Sequence, residues 1–472
     1  MKSTIKNSIF NMLKVLSSLV FPLISYTYVT HILQVESIGR VEFARSFTSY
    51  FTMLAMLGIV SYATRESAKI KTNKIELTRF AHEIILFNVL AVILSLLLFF
   101  CFIFFLPQLS TYKLLLFINS FSIILVALGL EWLFAAMEDY AYISVRSIII
   151  QIISVIIILI FVRTKQDLYL YAFFQMLSLV APNVINLVYS RKYISWKPVG
   201  NYNLKRHIKP ILILFLMTVS VQIFSSLDTT MLGFMSGDIS VGLYTASTKM
   251  INITSSLLVA IISVLTPKIS VLVKKQEWNR IKEISYQAIS IILMLSIPAA
   301  IGLALLSKDL IVVFSGKSFI DGNFSAKILA LRVILSPLNT YFIVQLFISM
   351  GYEKKNLLTT SVAALVNIIL NFLLIPSFMQ NGAAVATIMA ELIELAFNLY
   401  FVRNILNVKK IAFNMFQYSL KSLVIILIYW LFSIFLSGFM LIITVIPASA
   451  GVYIIILFLL KDEQLSKLDA IR

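Results

Sequence analysis

The sequence predicts an all-α integral membrane protein of about fourteen transmembrane helices, and three observations lead there. First, residues 87–106 (FNVLAVILSLLLFFCFIFFL) form an unbroken apolar run of about 20 residues, the length that crosses a hydrocarbon core. Second, 60% of the 472 residues are hydrophobic and only 13% charged, whereas a soluble chain carries about 25% charged residues. Third, such runs recur along the chain without the alternation of a transmembrane barrel. Lipid admits only helices or closed barrels, so helices are expected.

The elements follow from where charged and turn residues interrupt the apolar runs. The predicted spans are 8–30, 41–62, 81–106, 113–135, 141–162, 167–190, 210–233, 241–267, 284–306, 325–350, 356–376, 382–402, 413–437 and 439–460. The first begins after Lys2 and Lys6, as a signal peptide would. It is interrupted by Lys14 and ends in Tyr26, Tyr28 and Val29 rather than at a small-residue cleavage site, so a retained helix is expected. Only residues 436–440 separate the last two runs. Cys101 lies inside the third run, where a lone thiol is expected to be buried packing. His31, His82 and His207 have no metal-ligand spacing.

Basic residues set the expected orientation. Clusters of five at 65–79, six at 191–209 and five at 268–282 all fall on the side of the N-terminus, which places both termini in the cytoplasm. The net charge of +18 therefore reads as cytoplasmic loops beside anionic lipid, not as a nucleic-acid partner.

Two stretches are alike. Ile38-Gly39-Arg40-Val41-Glu42-Phe43-Ala44-Arg45 opens the second span, and Val241-Gly242-Leu243-Tyr244-Thr245-Ala246-Ser247-Thr248-Lys249 opens the eighth. At the same offset of 203, Arg65 lands on Lys268. Six spans lie between the copies, and an even number preserves direction across the membrane. The repeat is therefore parallel. It divides the chain into a six-helix bundle at 1–209, a second at 210–412, and two appended helices with a tail at 413–472.

At these residues the chain resembles the polysaccharide repeat-unit flippases of the multidrug/oligosaccharidyl-lipid/polysaccharide exporter superfamily. The resemblance rests on residues 33–71 (LQVESIGRVEFARSFTSYFTMLAMLGIVSYATRESAKIK), with Gly58-Ile59, Tyr62-Ala63 and Arg65-Glu66-Ser67-Ala68-Lys69 at the end of the second span. It continues in Gly129-Leu130-Glu131-Trp132-Leu133-Phe134 with Glu138, and in Leu227-Asp228-Thr229-Thr230-Met231-Leu232-Gly233 before Val241-Gly242-Leu243-Tyr244. It covers most of the first twelve spans. The resemblance implies two six-helix bundles around a central cavity with two further helices. It also implies a bacterial inner-membrane protein, not an enzyme, that moves an undecaprenyl-pyrophosphate-linked repeat unit of O-antigen or capsule to the outer leaflet. Polymerase and chain-length proteins of the same route are the implied partners.

An anionic glycan headgroup crossing hydrocarbon needs cationic contacts in a wet path. Arg45, Lys249 and Arg332 lie inside predicted spans, and Lys14 and Lys421 lie nearer the cytoplasmic edge. Arg45 and Lys249 match under the repeat to within one residue. They are read as cavity cations for phosphate or sugar carboxylate. Pairing with neighbouring acids or snorkelling to headgroups is the alternative.

Glu391 and Glu394 share a helix face at a spacing of three, and Asp228 lies near the outer end of the seventh span. These acids are read as a site coupling transport to H⁺ or Na⁺, with a structural ion pair to Arg332 or Lys249 as the alternative. No other cofactor is expected. Arg65, Glu66 and Lys69 form either an inner gate or a solvated charged face, while Glu131 and Glu138 are read as loop or headgroup contacts. Pro22, Pro182, Pro298 and Pro337 are expected to kink their helices.

Two other readings compete. A membrane polymerase or glycosyltransferase would need a sizeable extramembrane segment, and the longest expected here are about twenty residues, at 191–209 and 307–325. Gly316-Lys317-Ser318 resembles the end of a phosphate-binding loop, but Ile311 stands where its first glycine is required. A drug/cation antiporter of the same superfamily is the closer rival. Fourteen helices and several intramembrane cations favour the anionic lipid-linked substrate over it.

Overall fold

The computed structural model describes residues 2–263, 266–462 and 464, and among them there are helices and short turns but no strand. The helices are α1 Lys2–Met56, α2 Ile59–Ile70, α3 Lys74–Phe105, α4 Lys113–Ala127, α5 Glu131–Ala136, α6 Tyr140–Phe161, α7 Leu168–Tyr189 and α8 Lys205–Ser236. They continue as α9 Asp238–Ser263, α10 Thr266–Lys274, α11 Trp278–Ser315, α12 Asn323–Leu329, α13 Arg332–Thr340, α14 Glu353–Val402, α15 Val408–Ser422, α16 Val424–Ser433 and α17 Gly438–Leu459.

Among the described residues, ten helices are long and apolar enough to cross a membrane, or eleven with the bent pair Lys317–Leu329 and Arg332–Ile348. Their flanks identify the solvent. In α3, whose best window has a mean hydropathy of 3.0, only 33% of that window is buried, and Leu90, Leu94, Leu97, Phe104 and Phe105 face outward. Continuous apolar surface on this scale is stable against lipid rather than water. The chain is a multi-pass membrane protein.

The expected runs map onto these helices. At about 1.5 Å per residue, α1 with 55 residues and α14 with 50 are each more than twice the thickness of a hydrocarbon core. Each is broken once, at Gln34 (φ 65°, ψ 178°) and at Met379 (φ 49°, ψ −129°), so each holds two of the predicted runs. Past Met379 the chain doubles back: a Cβ on Gly382 would sit 2.7 Å from the Leu374 carbonyl carbon. The predicted run 210–233 lies within α8.

Four predicted spans are interrupted among the described residues, the run 413–437 by a single turn residue, Leu423, between α15 and α16. The run 41–62 breaks at Leu57-Gly58, both at positive φ, because α8 passes so close that a Cβ on Gly58 would lie 2.9 Å from the Leu214 carbonyl carbon. The run 113–135 breaks at 128–130, with Leu130 left-handed and Gly129 pressed beneath Asn183. The run 325–350 breaks at Ala330-Leu331 and continues through α13 into a π-helical turn, Tyr341–Ile348. Two other expectations are corrected. Residues 307–325 are not a loop, since α11 runs to Ser315 and a 3₁₀ turn follows. Cys101 is exposed on the apolar flank of α3 rather than buried.

By its contacts the chain divides into two compact units, Met1–Val241 and Gly242–Arg472. In the first, α1 packs against α3, α4, α6 and α8. Its inner core gathers Tyr62, Phe80, Trp132, Leu133, Phe134 and Ile143. A polar seam joins α1 to α8. Ser46 Oγ donates to the Ser226 carbonyl at 2.8 Å and pairs with Thr230 Oγ1 at 2.8 Å, while Gln222 Nε2 donates to Ser49 Oγ at 2.9 Å. In the second unit α11, kinkable at Pro298, packs against α12, α13, α15, α16 and α17. Leu306, Leu310, Leu441, Ile442 and Val445 form the core where α17 docks.

Two backbone features recur along the chain. Gln34 and Gly237, related by the offset of 203, share one unusual conformation, φ 65°, ψ 178° and φ 82°, ψ −178°. Each unit also has a six-residue 3₁₀ turn, Pro107–Tyr112 and Lys317–Gly322, leading into a helix that soon breaks.

Candidate functional site

Charges inside apolar helices carry the candidate chemistry, because each costs several kcal/mol unless it is paired or wet. In the first unit Arg45 and Glu42 stand at a spacing of three on α1 and form an ion pair. Glu42 is buried, while the Arg45 side chain is 49% exposed, so the guanidinium keeps an open side. Gln175 Nε2 of α7 donates to Glu42 Oε1 at 3.4 Å and to the Tyr171 hydroxyl at 3.3 Å, which ties the pair to a second helix. Lys14 Nζ donates to Glu131 Oε1 at 2.5 Å. The acid expected in a loop or at the headgroups is thus the partner of a candidate cation, at the positive N-terminal end of α5. Asp228 is buried within α8.

At the edge of this unit, Glu66 is held by Lys69 at 2.8 Å and Arg65 at 3.1 Å, both on its own helix. Glu138 sits in the α5–α6 turn and accepts from Lys71 Nζ at 2.8 Å. That ammonium holds the Glu138 carboxyl below the usual carboxylate range.

In the second unit the predicted residues converge. Arg332, at the start of α13, donates from Nε to Glu391 Oε1 at 2.8 Å and from Nη1 to Asn252 Oδ1 at 3.0 Å. Asn252 lies three residues beyond Lys249 on α9, hence on the same face. Glu394 accepts from Thr360 Oγ1 at 3.0 Å. Asn339 Nδ2 donates to the Glu391 carbonyl, and Asn398 Nδ2 to Asn339 Oδ1, each at 3.0 Å. Glu391 and Glu394 are both buried, as the shared helix face requires. Apart from these, Lys421 pairs with Asp462 at 2.5 Å, and the Tyr418 hydroxyl donates to the same carboxylate.

Sequence reasoning passed over two groups. Glu83 is fully buried on α3 and is held by Arg206 Nη2 at 2.5 Å, His207 Nε2 at 2.7 Å and the Asn203 amide at 2.6 Å. The Tyr62 hydroxyl meets His207 Nδ1 at 2.8 Å, closing the network. Arg146, 6% exposed on α6, bonds to the Asn186 side-chain oxygen and donates to the Pro182 carbonyl at 3.2 Å. It lines a cavity of about 440 Å³ inside the first unit, together with Asn88, Glu131, Trp132, Gln151 and Asn183. Both Glu83 and Arg146 lie within a turn or two of a predicted span edge, where a charge reads as a loop residue. No cluster with metal-ligand composition occurs among the described residues.

Residues 4–273 match the family described as "Polysaccharide biosynthesis protein". The chain is 25% identical over 397 residues to the Escherichia coli K12 protein named "Putative O-antigen transporter", covering 82% of this chain and 94% of that one. It is 26% identical over 198 residues to the Haloferax volcanii protein named "Probable low-salt glycan biosynthesis flippase Agl15", covering 42% of this chain and 40% of the relative. Among solved structures it shares the fold of a lipid II flippase MurJ in an inward closed conformation, with a TM-score of 0.74 at 18% identity over 100% of this chain and 99% of that one. An inward-facing multidrug resistance MATE family transporter of the MOP superfamily gives a TM-score of 0.62 at 13% identity over 82% of this chain and 94% of that one.

Proposed function

The chain belongs to the polysaccharide biosynthesis protein family, and from that premise we propose that it is a flippase, not an enzyme. It carries an undecaprenyl-pyrophosphate-linked oligosaccharide repeat unit, of O-antigen or capsule, from the cytoplasmic to the outer leaflet by alternating access. The relatives named for O-antigen transport and glycan flipping support the class of cargo. The six-plus-six bundle division, a bacterial inner membrane, cytoplasmic termini and a polymerase acting downstream belong to the same proposal.

The observation that carries it is an arginine inside a predicted span of each unit held by a buried carboxylate, Arg45 by Glu42 and Arg332 by Glu391. A guanidinium offers planar, paired donors to phosphate as readily as to carboxylate. The headgroup phosphate or a sugar carboxylate therefore replaces the protein carboxylate on arrival and releases it on departure. The protein never exposes a bare charge to lipid. Lys249 and Lys14 add cationic character, Arg65 and Glu66 act as an inner gate, and Asp228, Glu391 and Glu394 take up H⁺ or Na⁺ when freed.

Deletion followed by analysis of the lipid-linked sugars tests this. A flippase leaves complete repeat units facing the cytoplasm. Single units already at the outer face would indicate a polymerase instead and sink the reading.

A further inference from the structure

The cavity inside the first unit has a chemical signature of its own. Arg146 is almost fully buried, yet its partners are the neutral Asn186 side chain, the Pro182 carbonyl and the Tyr142 ring, and no described carboxylate pairs with it. A buried cation with only neutral partners is an unbalanced charge in a low-dielectric setting. The acid that lines the cavity, Glu131, is engaged by Lys14.

Four lining residues also hold a buried polar atom that makes no hydrogen bond. Two are donors, Arg146 Nε and Trp132 Nε1, and two are acceptors, Asn88 Oδ1 and Gln151 Oε1. The Asn88 assignment is anchored, because its Nδ2 donates to the Ala127 carbonyl at 2.7 Å. A buried polar group left unmatched is destabilising, and four such groups around one cavity call for a common partner. That partner must bring negative charge for Arg146 and hydroxyl donors for Asn88 and Gln151. A pyrophosphate has the charge but no donors, whereas a uronic-acid ring has both. The cavity of about 440 Å³ lies within the range of small-molecule sites.

We propose that this cavity is a subsite for an acidic sugar residue of the transported glycan, with Arg146 taking its carboxylate and Trp132, Asn88 and Gln151 meeting its hydroxyls. The inference rests on the flippase reading and adds a selectivity element to it.

The test uses the full chain in lipid nanodiscs with Trp196, Trp278 and Trp430 changed to Phe, so that Trp132 reports. Glucuronic acid should change its fluorescence saturably, with glucose binding at least tenfold more weakly and inorganic pyrophosphate failing to displace it. Arg146→Met should weaken glucuronic acid at least tenfold. Ser178→Phe, which fills the cavity without removing a polar partner, should abolish the response. A flat glucuronic acid titration, equal affinity in Arg146→Met, or displacement by pyrophosphate overturns the proposal.

A cellular arm separates the two readings. Wild-type protein that fails to restore surface polymer to the deletion strain removes the flippase reading. Full restoration by wild type and equally by Ser178→Phe, present in the membrane, removes the cavity subsite alone.

Discussion

Replacing Gln34 by glycine should stabilise the protein, and replacing Gly237 by alanine should destabilise it. Both residues adopt φ near +70° with an extended ψ, a region essentially reserved for glycine. Holding a residue with a Cβ there costs about 1–3 kcal/mol. At Gly237 no heavy atom lies within 4 Å of an added Cβ, so the whole cost of alanine is backbone strain rather than collision. At Gln34 the relief is reduced by the extra freedom glycine confers on the unfolded chain, about 0.5–1 kcal/mol. The net expectation is a gain of roughly 1 kcal/mol for Gln34→Gly and a loss of about 1–3 kcal/mol for Gly237→Ala. Unfolding of each variant in the same nanodisc, followed by fluorescence against denaturant, reads both. Opposite signs of the two shifts are required. A neutral Gly237→Ala together with a destabilising Gln34→Gly would refute the assignment of one shared, strained turn to both copies of the repeat.

The remaining predictions concern the site and its supports. Arg45→Ala and Lys249→Ala should each abolish surface polysaccharide in dependent cells while leaving the protein in the membrane; normal polymer in both removes the proposed cationic contacts. Glu391→Gln and Glu394→Gln should alter the dependence of transport on an imposed proton or sodium gradient, measured in proteoliposomes, and an unchanged dependence reduces them to structural acids. Gly129→Ala should cost about 1–3 kcal/mol by overpacking, since its Cβ would come 2.8 Å from the Asn183 Cβ; unchanged denaturation would show that α7 yields freely there. Because Lys71 lowers the Glu138 pKa, the Lys71–Glu138 pair stabilises the fold above the unfolded carboxyl pKa, and this contribution is lost as pH falls through the lowered value. Lys71→Ala should return the Glu138 titration, followed by infrared difference spectroscopy, to the ordinary range near 4.3.

The apolar runs were legible because length in lipid is a backbone constraint that local sequence satisfies alone. Each predicted run lies largely on helix among the described residues, including the paired runs inside α1 and α14, while positions 264 and 265 of the run 241–267 lie outside the described residues. The breaks at Gly58 and Gly129 were not legible, because Leu214 and Asn183, far along the chain, press on those glycines and fix the turns. The pairing of Arg332 with Glu391 was open beforehand as the structural alternative, and that contact is present. The intrahelical pair of Arg45 with Glu42 followed from a spacing of three that the search for cavity cations did not use. Arg146 escaped because its position near a span edge resembles a loop, while the absence of a carboxylate beside it is purely a matter of tertiary placement.

The seam between α1 and α8 has a mechanical consequence. Thr218, Gln222, Ser226 and Thr230 follow one another at intervals of four along α8, so each sits one turn above the last on a single face. The four-residue spacing corresponds to a rise of about 6 Å, so an axial shift of α8 by that distance would bring Ser226 to the level where Thr230 now meets Ser46, and Gln222 to the level of Ser226. Each hydroxyl or amide that leaves its partner is replaced by another at the same height. The face of α8 toward α1 is thus laid out like a toothed rail, with a polar side chain at each turn.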